Sequence, residues 1–203
     1  MHEHALTEYA PPKPRLTGDE RRRTILHAAR AEFARVGYYG SSTASIARAA
    51  GCSEPMLYKH FAGKLDLFMQ SIVDVLDRAL ANFDSAAVDA VDVHEQGRRH
   101  LERMMTDPDY LQLNQLRRIA VNVDEPAVRD LLLNLDDRLR ERVGLAIEEG
   151  LRQGVTRDDI DAEFIAFCWL GMMQAAAYRE RLVPGEFAAS RRHVEKFFEL
   201  LRR

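Results

Sequence analysis

Between Thr43 and Lys64 the chain reads TASIARAAGCSEPMLYKHFAGK, and its polar residues are of the kinds that hold and read a nucleic acid. Thr43, Ser53 and Tyr58 offer hydroxyls, the uncharged groups that fix a protein's register on a sugar–phosphate backbone. Lys59, His60 and Lys64 add basic side chains, and Arg21, Arg22, Arg23 and Arg48 extend the set that could displace counterions from phosphates. Thr43, if it opens a helix, also presents backbone amides to a phosphate with the helix dipole behind them. Base reading would fall to Glu54, Pro55, Met56 and Lys59. Lysine can donate to guanine, methionine can touch a thymine methyl, and a carboxylate can accept from cytosine or simply stabilise its own helix N-terminus. The second role is the one expected of Glu54.

These residues need three short helices to carry them. The first starts after Thr17-Gly18, capped by Thr17 or Asp19 with Glu20 in its first turn. Its apolar residues Ile25, Leu26, Ala29, Phe33 and Val36 recur at three- and four-residue steps, so one face is buried and Arg21 to Arg23 point outward. Gly37 ends it. Ser42 or Thr43 caps the second helix, with Ile46, Ala47 and Ala50 inward. Gly51 supplies the sharp turn, Ser53 caps the third helix, and Pro55 sits in its first turn where a missing amide costs little. Leu57 and Phe61 bury into the shared core. The result is a helix-turn-helix whose last helix is shaped for a major groove.

The ordered set Thr43, Ala50-Gly51, Ser53, Leu57-Tyr58, His60-Phe61 and Lys64 closely resembles the DNA-binding domain of TetR-family transcriptional regulators. The resemblance implies phosphate contacts from Thr43, Tyr58, His60 and Lys64, and base contacts from the exposed face of the third helix. Met56 stands where the family commonly has a small or hydroxylated residue. With no strand alternation anywhere the chain reads as all-α, and residues 1–17, Pro-rich and without periodicity, read as a flexible arm. The resemblance then implies a helix-turn-helix domain over 18–63 and a helical effector-binding and dimerisation domain over 64–203.

Charge agrees with that division. Lys13 to Lys64 holds ten Lys/Arg against four Asp/Glu, while the remainder holds 19 against 28, so a basic quarter sits on an acidic body. Cys52 and Cys168 lie far apart without a CxxC spacing, which argues against a disulfide framework or zinc ribbon and for a reducing compartment. The first residues lack the apolar core of a signal peptide, and no run approaches the roughly 18 apolar residues of a membrane span. The expected setting is cytoplasmic, with no membrane partner and no cofactor.

In the body, a long amphipathic helix runs from Lys64 to about Phe83. Pro108 and Pro126 mark further helix starts, Gly154 a break, and two terminal helices occupy about 160–181 and 185–203. Residues 164–178 are apolar almost all round, which requires burial on more than one side. By the resemblance, the last two helices make a homodimer, with Gly171 and Ala175 permitting close approach and Val194, Phe197, Phe198 and Leu201 forming a stripe. A two-fold dimer would bind a palindromic operator with half-sites about one turn apart. The resemblance also implies a cavity for a small, hydrophobic effector, for which Met104, Met105, Tyr110, Leu113, Phe167, Trp169, Met172, Met173 and Tyr178 are candidate liners. Ordinary core packing competes for each of them. Asn114, Arg117, Arg118 and Asn122 could orient a polar ligand group or form a solvated face.

No phosphate loop, nucleophile elbow or HExxH pair is present, so the chain is not expected to be an enzyme. A ligand-responsive repressor is the leading function. A helical carrier with a vestigial head, and an activator using the same head, are the alternatives.

Overall fold

A reciprocal pair sets the start of the first helix. Thr17 Oγ1 accepts from the Glu20 amide at 3.2 Å, and the Glu20 carboxylate accepts from the Thr17 amide at 2.8 Å, satisfying two otherwise orphaned N–H groups. The computed structural model describes residues 16–87, 93–183, 185 and 187–202, with the side chains of 82–87, 93–94, 104–105 and 187–189 outside the description. The arm expected over 1–17 therefore lies almost entirely outside the described residues, and so do the side chains of Met104 and Met105.

Helix α1 spans Gly18–Gly40, but its regular turn is interrupted at Gly37, where φ is 75°. That left-handed backbone is open to glycine at little cost, which is why the sequence ends the helix there. Helix α2 (Thr43–Ala49) is capped by Ser42, and Gly51 at φ 63° turns the chain into α3 (Glu54–Tyr58). Ser53 occupies the cap position of α3 but its hydroxyl makes no capping bond. Helix α4 runs Lys64–Ala87, a turn beyond the expected end at Phe83. The body continues with α5 (Val93–Thr106), α6 (Pro108–Ala120), α7 (Pro126–Arg152), α8 (Ala162–Leu182) and α9 (Phe187–Leu201). Among the described residues there is no strand, only an isolated bridge between Thr156 and Arg202.

Three short helices cannot enclose an adequate core alone. The head borrows one from the body: Ile25, Phe33, Ile46, Leu57 and Phe61 pack with Leu67, Phe68 and Ile72 of α4, and the Phe33 and Phe68 rings meet edge to face at 4.8 Å. Helix α1 packs on α6 as well. Gln115 donates its side-chain amide to the Ala34 carbonyl at 2.8 Å, and the Tyr39 hydroxyl accepts from the Asp124 amide at 3.0 Å. The head is thus held by α4, by α6 and by the backbone just after α6.

Behind it, Leu101, Leu116, Leu135, Ile165 and Trp169 form the body core. Where α9 crosses α5, Gly97 faces the Phe198 ring so closely that a Cβ there would lie 2.1 Å from Phe198 Cζ. The ring is itself packed against Trp169 and Phe197, at centroid distances of 5.1 and 5.8 Å. Gly97→Ala would gain up to about 1 kcal/mol of helix propensity but force an overpacked ring to move, at about 1–3 kcal/mol. The expected net result is a loss of about 1 kcal/mol in urea unfolding. A raised unfolding midpoint would show that the ring yields freely.

Candidate nucleic-acid interface

The head brings Thr43, Glu54 and Tyr58 together. Thr43, the first residue of α2, donates its hydroxyl proton to Glu54 Oε1 at 2.5 Å, and its oxygen lies 3.2 Å from the Tyr58 hydroxyl. Since the single Thr43 proton goes to Glu54, Tyr58 is the donor of the second bond. The chain of hydroxyls runs Tyr58 to Thr43 to Glu54 and ends on a carboxylate. Glu54 therefore organises the surface hydroxyls and joins α2 to α3, a role beyond the stabilisation of its own helix start that the sequence suggested. Tyr58 is exposed, as are Ser53, Pro55, Lys59 and Arg48, while Met56 and His60 are half-buried.

Lys64 is used differently from the exposed cations. Its ammonium donates to the Tyr38 and Ser41 carbonyls at 3.1 and 3.3 Å and lies 4.5 Å above the Tyr38 ring. Two of its three protons thus close the loop between α1 and α2, and one remains for an outside acceptor. Arg22 corrects an expectation. It does not project outward with its neighbours but turns in over the Phe61 ring at 4.5 Å, donating to the His60 carbonyl and to Gln70. Arg23 is exposed and Arg21 half-buried.

In the body, Tyr110, Leu113 and Met173 line a cavity of about 40 Å³ together with Asn114 and Arg117, two of the candidate polar groups, and with His100 and Gln174, which sequence reasoning did not pick out. Such a space holds a few water molecules at most. Tyr110 donates to the Ala79 carbonyl at 2.8 Å, and its oxygen lies 3.3 Å from His100 Nδ1. Burial, and secondarily Arg103, push the His100 pKa down to about 3, so the imidazole is neutral. The guanidinium of Arg117 is paired with Asp136. Trp169 lines a separate small cavity with Phe197, Phe198 and Leu201. Met172 packs half-buried against the core.

Three residues stand elsewhere than expected. Phe167 was a candidate cavity liner, yet it is 67% exposed on the outer face of α8; Tyr178, 54% exposed, does line an open pocket of about 250 Å³ with Asn114, Arg117, Arg118 and Gln174. Val194 and Leu201 were candidates for the dimer stripe, yet at 1% and 5% exposure they fill this chain's own core. Phe197 and Phe198 are half-buried around Trp169. The unpartnered apolar stripe is on α8 instead: Phe164, Phe167, Tyr178 and Leu182 are all exposed, with Gly171 and Ala175 also exposed.

Among the described residues no cluster could hold a metal ion, and no helix is long and apolar enough to cross a membrane. The model of bacterial regulatory proteins of the tetR family matches residues 25–70, from the middle of α1 into α4. The HTH-type transcriptional activator FasR of Mycolicibacterium smegmatis is 38% identical over 87 residues, covering 43% of this chain and 38% of that protein. The HTH-type transcriptional regulator YdgC of Bacillus subtilis is 25% identical over 159 residues, 77% of this chain and 79% of that one. A transcriptional regulator from Saccharomonospora viridis, solved in complex with choline, superposes with a TM-score of 0.79 at 23% identity, covering 91% of this chain and all of that one. A TetR-family regulator from Rhodococcus sp. gives 0.78 at 22% identity, with 91% and 100% covered. At such identities the superpositions establish the fold, and the head supplies the family signature. Residues 25–70 thus match the DNA-binding head of the tetR family, carried on a body with the fold of solved TetR-family regulators.

Proposed function

We propose that the protein is a ligand-responsive transcriptional repressor that binds a palindromic operator as a homodimer and leaves it when a small effector enters the body. The observation that carries this reading is the hydroxyl chain of Tyr58, Thr43 and Glu54 between exposed Arg48 and Lys59. It sets two hydroxyls at the junction of α2 and α3, with Arg48 exposed in α2 and Lys59 exposed just after α3. A phosphate arriving at Thr43 would take the hydroxyl protons now directed toward Glu54, so affinity depends on that exchange. Dimerisation would use the exposed stripe of α8, a contiguous apolar face of the kind that marks interaction sites. The effector would enter at the cavity under Tyr110, Leu113 and Met173, whose small volume means the surrounding helices must part to admit it. Repression would follow from occlusion of a promoter, and release from a shift of α4 that spreads the two heads. Ligand must favour the spread form for this; a tenfold change in operator affinity needs about 1.4 kcal/mol of preference.

An activator with the same head is the second reading, favoured by the mycobacterial relative FasR, which is a transcriptional activator. The sign of regulation is set by operator position.

The test is selection from a randomised duplex library followed by anisotropy titrations on the recovered sequence. A palindrome with half-sites about one turn apart is expected. Thr43→Ala should weaken binding about tenfold at every sequence, because a phosphate hydrogen bond of about 1.5 kcal/mol carries no base information. Lys59→Ala should lower the salt slope by about one. No enrichment, with no binding at low salt, would remove DNA as the partner.

A further inference from the structure

Most surface arginines of the body have a carboxylate partner. Arg78 reaches Asp74 and Asp109, Arg138 reaches Asp77, and Arg157 reaches Asp159. Arg118 of α6 and Arg181 of α8 are among those that do not: within the described residues neither has a carboxylate within ion-pair distance, and no hydrogen bond occupies either guanidinium. They line the same open groove, of about 410 Å³, where the body meets the head. Burial lowers the pKa of Arg118, and the charge of Arg181 lowers it further, so the two cations repel each other across that space. Two unneutralised guanidiniums converging on a groove of small-molecule size are a site awaiting an anion, because the planar fork of each pairs well with an oxyanion.

The opposite wall makes the position consequential. It is formed by Gly37, Tyr38, Tyr39 and Gly40, the segment where the regular turns of α1 break, with Gln115 and Asn122 adding polar groups from the body side. Tyr39 is also the residue whose hydroxyl ties the head to the Asp124 amide. An occupant here would touch both the end of α1 and α6. We propose that this head–body groove is a second ligand site, distinct from the cavity under Tyr110, which takes a small molecule bearing a phosphate or carboxylate group between Arg118 and Arg181. Its occupation braces the head against α6. The regulatory consequence rests on the DNA-binding reading above; the anion binding does not.

The full-length protein should be titrated with sodium pyrophosphate and, separately, with sodium succinate, following thermal unfolding against sodium chloride of matched ionic strength. At about ten times Kd the expected result is a saturable rise in Tm of about 3–6 °C with at least one of the two anions, and the responding anion identifies phosphate or carboxylate as the favoured group. The response should be lost in Arg118→Gln/Arg181→Gln and reduced in Arg181→Gln alone, which changes an exposed side chain and so preserves the fold. Thr43→Ala, altered only at the DNA face, should respond like the wild type even if operator binding fails. Equal effects of both anions and matched chloride would overturn the proposal, as would an undiminished response in the double variant. A shift of the double variant toward monomer without any anion response would overturn it too, assigning the arginines to a partner subunit.

Discussion

Lowering the pH from 7 to 5 is expected to cost the folded protein about 2 kcal/mol through a single side chain, His100. The imidazole lies on α5 at 5% exposure, beside the Tyr110 hydroxyl, with Trp169 at a centroid distance of 6.2 Å and Arg103 adding positive charge. These surroundings disfavour the imidazolium and hold the native pKa at about 3, whereas the unfolded chain takes up the proton near the ordinary value of about 6.5. The sign follows directly. Above pH 6.5 both states are neutral at this site and the full stability is present. Below it the unfolded state binds a proton that the native state refuses, so stability falls by about 1.4 kcal/mol per pH unit until the native group titrates near pH 3. The cumulative loss there is about 5 kcal/mol. Between pH 6.5 and 5 few carboxylates contribute, which makes that window diagnostic. His100→Gln retains a donor for the Tyr110 oxygen but cannot titrate. Urea midpoints at pH 7, 6 and 5 should fall in the wild type and stay nearly level in the variant. Parallel declines would mean that another group, not this histidine, sets the acid sensitivity.

The head was legible in the sequence because its determinants are local. Thr17 with Glu20, Gly51 at the turn, and the spacing of Ile46, Leu57 and Phe61 each act within a few residues of themselves. Arg22 failed for the opposite reason: its direction is set by Phe61 and Gln70, far along the chain. In the body, periodicity gave the helices but not their orientation. Helix α8 is apolar almost all round, so no moment distinguished the inner Trp169 and Met173 from the outer Phe167 and Tyr178. The stripe on α9 was real, but an amphipathic stripe does not reveal whose interior it fills, and Val194 and Leu201 fill this chain's own. One signal was present and passed over. Arg30 falls in the apolar series Leu26, Ala29, Phe33, and Asp74 falls between Ile72 and Val75, so each charge interrupts a buried face. Two opposite charges in facing stripes are a sequence-level hint of a buried pair.

Removing Asp74 should be the most damaging single change at the joint between head and body. Arg30 of α1 is 5% exposed and paired with Asp74 of α4, which also receives Arg78 at 3.0 Å, and Arg78 in turn reaches Asp109 of α6 at 3.2 Å. Burial lowers the Arg30 pKa, and repulsion from Arg78 lowers it further, while Asp74 and Asp109 oppose both. A guanidinium cannot escape by losing its proton at physiological pH. In Asp74→Ala it would remain charged and buried with only the more distant Asp109 to compensate. The expected loss is about 3 kcal/mol, at the low end for a broken buried pair because Asp74 keeps some contact with water. The reverse change should be mild. Arg30→Met fills similar space and leaves Asp74 with Arg78, so about 1 kcal/mol or less is expected, and Arg30→Met/Asp74→Ala should recover most of the loss. Equal damage from both single variants would mean that the pair acts through its own attraction rather than through the stranded charge. Because the network ties α1 to α4 and α6, Asp74→Ala should also raise amide exchange in α1 to α3 while leaving α7 and α8 protected. If the proposed regulator transmits movement of the body to the head through this joint, operator affinity in Asp74→Ala should fall together with head protection.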